Sequence, residues 1–320
     1  MIVTPLTELF ELEHPVVLGP MGGVAGGRLA AAVSNAGGLG LVGGGYGDLD
    51  WLKTELAIVK ATTQRPWGVG LITWSIGKGV LEFVLDAKPN AVMLSFGDPR
   101  LHAAAIKAAG CKLICQVQDV AGALLAKEAG ADIIVAQGTE AGGHGGGRST
   151  FPLVPAVVDA VAPIPVVAAG GIADGRGLAA ALMLGAQGAL LGTRFYASAE
   201  ALGHDAAKQR IVQAQGDQTK RTTVFDVIRG YDWPAGYTGR ALHNRFMDRW
   251  DGSEEELSGV ASTTRAEFWD AASAGDYDTA MVWAGEAVDL ITTIESAATL
   301  VRQISAQAET QLRAGERLLR

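Results

Sequence analysis

The chain has 320 residues, 48% hydrophobic and 19% charged, with a formal net charge of -8. This composition supports one large core, and an acidic chain without a basic run excludes a surface built to grip a nucleic-acid backbone. The start of the chain lacks a signal-peptide pattern and no apolar run is long enough to span a bilayer, so a cytoplasmic protein without a membrane partner is expected.

From residue 14 to about residue 195, short apolar runs alternate with longer helical patterns. Strands are expected at 15–18, 39–42, 67–72, 91–95, 112–117, 133–136, 165–168 and 188–191. They are apolar throughout, as strands buried on both faces of a parallel sheet are. Helices are expected at 28–35, 49–62, 78–87, 101–109, 120–129, 151–161 and 177–184. Gly37, Gly110, Gly130 and Gly185 each follow a helix end, where glycine accepts the left-handed cap conformation. This alternation of strand and helix, repeated to eight strands, predicts an α/β fold, a (β/α)8 TIM barrel. A doubly wound open sheet is the alternative, because periodicity does not show closure. Cys111 and Cys115 share one apolar segment and read as buried small hydrophobes, which fits a reducing compartment.

Gly38 to Gly43 matches the spacing G-x-G-x-x-G. A dinucleotide fingerprint must follow a strand and open a helix, whereas this run passes through a strand, so a Rossmann site is not expected.

After Ala199 the texture changes. Helical patterns are expected at 204–214, 241–250 and 264–274, an extended run at 220–228, and a turn-rich loop at 229–237. Aromatic residues concentrate between Phe225 and Trp283. The organisation expected is a barrel over 1–215, a small, mostly helical subdomain over 216–280 inserted near the C-terminal end, and a C-terminal helix within 281–320 that completes the barrel wall. The aromatics either pack the subdomain's own core or form a lid that shapes a substrate cavity.

In a barrel the active site lies at the C-terminal strand ends. The first strand delivers Gly19-Pro20-Met21-Gly22-Gly23, and the fifth carries Gln116. The sixth delivers Gln137 and then His144 among glycines; the alternative there is a flexible surface loop with an incidental histidine. Gly170-Gly171 and Gly192-Thr193 follow the seventh and eighth strands, ahead of helices, where unpaired main-chain N–H groups favour an anion. A phosphate-bearing ligand is therefore expected; the alternative is that Asp174 only caps a helix. His144 is the one histidine at this face, and an imidazole with an ordinary pKa near 6.5 moves a proton at neutral pH. No second histidine, cysteine or acid stands at metal-ligand spacing, so no metal is expected.

These motifs resemble those of the nitronate monooxygenase (2-nitropropane dioxygenase-like) flavoproteins and their relatives, the flavin-dependent enoyl-acyl-carrier-protein reductases and NAD(P)H:quinone reductases. The likeness is carried by 19–23, 137–144, 168–175 and 190–195. It implies FMN as cofactor, with Met21, Gly22, Gln116, Gln137, Gly142 and Gly143 near the flavin. It also implies a hold from Gly170, Gly171, Leu191, Gly192 and Thr193, with His144 as the catalytic residue. The implied partners are a small nitronate or similar carbanion and O2, with a carbonyl compound and nitrite as products. The alternative is NAD(P)H-dependent reduction of a quinone or an enoyl thioester. A symmetric homodimer is the default assembly. Gly70 stands where many relatives carry asparagine, and Gln116 where some carry lysine.

Overall fold

A computed structural model describes residues 2–319. Its strands are β1 (Val16–Leu18), β2 (Gly40–Gly43), β3 (Trp67–Ile72), β4 (Ala91–Ser95), β5 (Lys112–Val117), β6 (Ile133–Gln137), β7 (Gly143–Gly145), β8 (Val166–Ala169), β9 (Ala189–Leu191), β10 (Thr219–Thr222) and β11 (Thr238–Leu242). Eight of them form one parallel sheet in the order β1-β9-β8-β6-β5-β4-β3-β2. Leu39 closes the ring: its N–H donates to the Val16 carbonyl, and its own carbonyl accepts from the Leu18 N–H. The fold is a (β/α)8 barrel, not an open sheet.

Successive residues on a strand point to opposite faces, so a barrel wrapped in helices needs apolar residues at both. Val17, Leu41, Met93, Ile114, Val135 and Val167 fill the interior. Val16, Leu18, Val69, Leu94, Leu113 and Ile134 face the surrounding helices. Gly37, Gly110, Gly130 and Gly185 have φ of 87°, 78°, 77° and 94°, the left-handed caps that turn each helix back to its next strand.

A helix at Pro5–Phe10 precedes the first expected element. Thr4 caps it, with a reciprocal bond pair to Thr7, and proline stands in its first turn. Leu6, Phe10 and Leu12 join the interior cluster and plug the N-terminal end of the barrel. Each such side chain stabilises by roughly 1.5–3 kcal/mol when taken out of water.

The helix Ala297–Gly315 supplies the last piece of the wall, packed against the helices Gly175–Met183 and Gly27–Asn35. The fit is close: a Cβ on Gly175 would lie 2.3 Å from Gln307 Cβ.

The segment between differs from expectation in three places. The run 220–228 is extended only to Thr222, whose hydroxyl accepts from the Val224 N–H and turns the chain into the helix Val224–Arg229. The run 241–250 opens as part of β11, because pairing with β10 outweighs local helical spacing, and becomes helical only at Arg245–Trp250. The next helix starts earlier, at Glu254, with three glutamates in a first turn that favours negative charge. Phe225, Phe246, Trp250 and Phe268 form a core here. The segment is also tied to the barrel, because β11 pairs with β7 as well as β10. Gly239 stands opposite His144 in that register. Among the described residues no helix is long and apolar enough to cross a membrane.

Candidate active site

The glycine-rich stretch after β6 is no loose loop. β7 carries His144, and three polar side chains fix its backbone. Gln137 Nε2 donates to the His144 carbonyl at 3.0 Å, and Gln137 Oε1 accepts from Gln118 Nε2 at 2.8 Å. Arg221 donates to the carbonyls of Thr139, Gly145 and Thr238, and Arg240 donates to that of Thr139. Burial, with Arg240 alongside, pushes the Arg221 pKa down to about 10, which leaves it charged at neutral pH.

His144 Nε2 lies 2.9 Å and 2.8 Å from the two oxygens of Asp226. An ionised carboxylate only accepts, so the neutral imidazole donates through Nε2–H and keeps its lone pair on Nδ1. Nδ1 has no hydrogen-bond partner among the described residues. Burial holds the imidazole below its ordinary 6.5. Asp226 pulls the other way, and the positive Arg229 and Arg221 add to the depression. Burial wins because the ring is enclosed on its faces by aromatics, so His144 is a neutral base at pH 7.

That enclosure is specific. Trp233 stacks flat on His144, and Trp283 lies tilted with its ring centre 5.2 Å away. Trp233 Nε1 donates to the Tyr46 hydroxyl at 3.0 Å, and Tyr46 stacks on Tyr231. Phe96 stands edge-on to Trp233 and Tyr237. Its φ of 63° is left-handed, a conformation that costs a non-glycine residue on the order of 1–3 kcal/mol and clusters at functional sites. The aromatics of the inserted segment thus divide: one set packs its own core, and another covers His144.

His144 opens on a cavity at the C-terminal strand ends with about 1290 Å³ of empty space, its mouth included. Met21, Gly22, Gln116, Gln137, Gly142, Gly143, Gly170, Gly171, Gly192 and Thr193 all line it. Leu191 does not. Its side chain points outward into the core between strands and helices, and Leu190, the next residue on the alternating strand, lines the cavity instead. The Gln116 amide makes no hydrogen bond among the described residues, so it is open to whatever the cavity holds.

A phosphate-bearing cofactor fits one end. The main-chain N–H groups of Gly171, Gly192 and Thr193 donate to nothing among the described residues. Gly170 and Gly171 have φ of 101° and 70°, which turns their backbone toward the cavity. Thr193 Oγ1 accepts from the Gly285 N–H at 2.9 Å, leaving its own proton free to donate. The helix Gly175–Met183, expected to offer free N–H groups, does not. Asp174 caps it by accepting from Arg176 and Gly177, and the Gly175 N–H donates to Gln307. The free donors lie just before it.

Gly70 also lines the cavity, and a Cβ there would lie 2.3 Å from the Pro20 ring. Pro20 therefore occupies the space that an asparagine at this position would need.

Asp226, Trp233, Trp283, Tyr46 and Arg229 were not singled out by sequence reasoning. Asp226 is 82 residues from His144, inside a stretch read as a strand. Only the aromatic concentration pointed toward this region.

Comparison with known proteins agrees with this geometry. The family profile described as nitronate monooxygenase matches residues 3–75 and 74–307. A Mycobacterium tuberculosis protein named (3aS,4S,5R,7aS)-5-hydroxy-7a-methyl-1-oxo-octahydro-1H-indene-4-carboxyl-CoA dehydrogenase is 42% identical over 226 residues, 70% of this chain and 64% of that one. The chain thus spans less than two thirds of that relative. The nitronate monooxygenase of Neurospora crassa is 36% identical over 349 residues, 94% of this chain and 91% of that one. The structure of FabK from Thermotoga maritima superposes with a TM-score of 0.89 at 33% identity, covering 99% of both chains. The chain is an oxidoreductase that belongs to the nitronate monooxygenase family.

Proposed function

We propose that the protein is an FMN-dependent nitronate monooxygenase. The observation that carries this reading is His144, tied through Nε2 to Asp226 with Nδ1 left free, on the wall of the cavity that also holds the unpaired Gly171, Gly192 and Thr193 donors. Gly171, Gly192 and Thr193 would hold the cofactor phosphate through N–H and O–H donors. Met21, Gly22, Gln116 and Gly142 would lie along the flavin ring. Bound FMN would mediate electron transfer between the substrate and O2, so that two alkyl nitronates and one O2 give two carbonyl compounds and two nitrites, the C–N bonds breaking and the oxygen atoms of O2 becoming the carbonyl oxygens.

The chain's own part is proton handling and enclosure. Nδ1 of His144 takes the proton on the α-carbon of a neutral nitroalkane, or orients a nitronate that is already ionised. Asp226 holds the imidazole in the tautomer that leaves Nδ1 basic and steadies the imidazolium that forms. Trp233 and Trp283 keep water from the ring. The two cysteines are free and buried, in keeping with a reducing cytoplasm.

A second reading is NAD(P)H-dependent reduction of a quinone or an enoyl thioester. The match to FabK over nearly the whole chain and the carboxyl-CoA substrate named for the Mycobacterium tuberculosis relative favour it. An anaerobic titration of the flavin-loaded protein decides between them. Bleaching of the flavin by an alkyl nitronate, but not by NADH or NADPH, is expected. Bleaching by a nicotinamide alone would move the protein to the reductases. His144→Ala is expected to abolish turnover of neutral nitroalkanes while FMN uptake persists; unchanged turnover would remove His144 from the mechanism.

A further inference from the structure

Arg229 ends the helix Val224–Arg229 and lines the cavity that His144 opens on. It is the one lysine or arginine among the described residues lining that cavity. Its side chain is 11% exposed. Its buried Nε has no hydrogen-bond partner, and neither Nη group makes a hydrogen bond among the described residues. Its nearest anion is Asp226, with Nη1 at 3.8 Å from Oδ1, beyond hydrogen-bond range, and both oxygens of that carboxylate already face His144 Nε2. The guanidinium carbon lies 4.7 Å from the Tyr231 ring centre, 5.5 Å from that of Tyr46 and 5.9 Å from that of Trp283. The helix C-terminus and these rings favour a cation here, but neither satisfies planar N–H donors. A half-satisfied buried guanidinium is costly unless something else completes it.

We infer that Arg229 is the receptor for the oxyanion end of the substrate, a planar O–X–O group such as a nitronate or carboxylate. The guanidinium fork matches such a group with two parallel hydrogen bonds, which an ammonium does not. Arg229 and His144 flank the same Asp226 carboxylate and line the same cavity, so both can engage one bound substrate. Arg229 is then the residue that favours the ionised nitronate over the neutral nitroalkane that His144 must first deprotonate. This inference rests on the nitronate reading for the reaction, but not for the binding.

The test uses propionate, which has the heavy-atom skeleton of ethyl nitronate and does not react. Its binding to the flavin-loaded protein is followed by tryptophan fluorescence at constant ionic strength set with chloride, with propionamide as the uncharged control. Propionate is expected to bind and to compete with ethyl nitronate, and propionamide to do neither. Arg229→Gln is expected to raise the propionate Kd and the KM for ethyl nitronate together by about tenfold or more, with kcat held within about threefold. Arg229→Lys is expected to lie between, since it keeps charge and loses the fork; it carries the same test should the glutamine variant not fold. Absence of propionate binding in the unmodified protein would overturn the inference. So would unchanged propionate affinity in the variants, or a fall in kcat alone, which would make Arg229 only a prop for Asp226. Arg229-dependent propionate binding in a protein that ignores nitronates would sink the proposed reaction and leave the oxyanion receptor standing.

Discussion

The indole of Trp233 lies flat on the imidazole of His144, with ring centres 3.5 Å apart and planes 5° from parallel. The stack removes one face of the base from water, and burial is the largest cause of its depressed pKa. Trp233→Ala is therefore expected to move the acid limb of the kcat/KM–pH profile upward, toward 6.5. An unmoved limb would mean that other groups bury the ring. The same depression gives a sign for stability. At and below pH 6.5 the unfolded chain binds more protons than the folded one, so the contribution of His144 is present above 6.5 and is lost as pH falls toward its folded value. Thermal melts across this range check that direction.

Asp226 acts on His144 in two ways, by fixing the tautomer and by raising the imidazole pKa against burial. Asp226→Asn keeps the shape and removes the charge. Turnover is expected to fall on the order of 10²-fold, the range of general acid–base effects. The acid limb is expected to move further below its position in the parent protein. A fall in rate without a shift of the limb would assign Asp226 to packing alone.

Thr193 accepts from the Gly285 N–H and has its own proton to spare. Thr193→Val removes both bonds. FMN affinity, measured by flavin absorbance on reconstitution, is expected to fall by about tenfold, the worth of roughly one hydrogen bond. Turnover at saturating FMN is expected to stay near that of the parent. An unchanged affinity would place the phosphate elsewhere.

Gly70→Asn would install the residue that the family resemblance leads one to expect at this position. Its Cβ would lie 2.3 Å from Pro20, so the turn after β1 must shift. Overpacking of this kind costs about 1–3 kcal/mol, and a drop of several degrees in Tm is expected. An unchanged melt would show that Pro20 yields easily, and that the asparagine is missing for a reason of function.

The barrel was legible because its signal is local and repeated. Apolar runs of strand length recur along one chain, with a glycine after four of the intervening helices, and each unit reports its own conformation without knowledge of its neighbours. The placement of His144, Gln137, Gly171 and Thr193 at one rim follows from that repeat, since every parallel strand of a barrel ends on the same face. The Leu191 side chain packs in the outer core while Leu190 lines the cavity, because on a strand one residue is the difference between the two faces. What sequence did not reveal is the chemistry supplied from outside the repeat. Asp226, Arg229 and Trp233 reach His144 because β11 pairs with β7 and folds the inserted segment over the rim. Strand pairing across nearly a hundred residues leaves no local period to read, so the sequence determined where the base stands. Only the tertiary structure decided its tautomer, its pKa and the cation beside it.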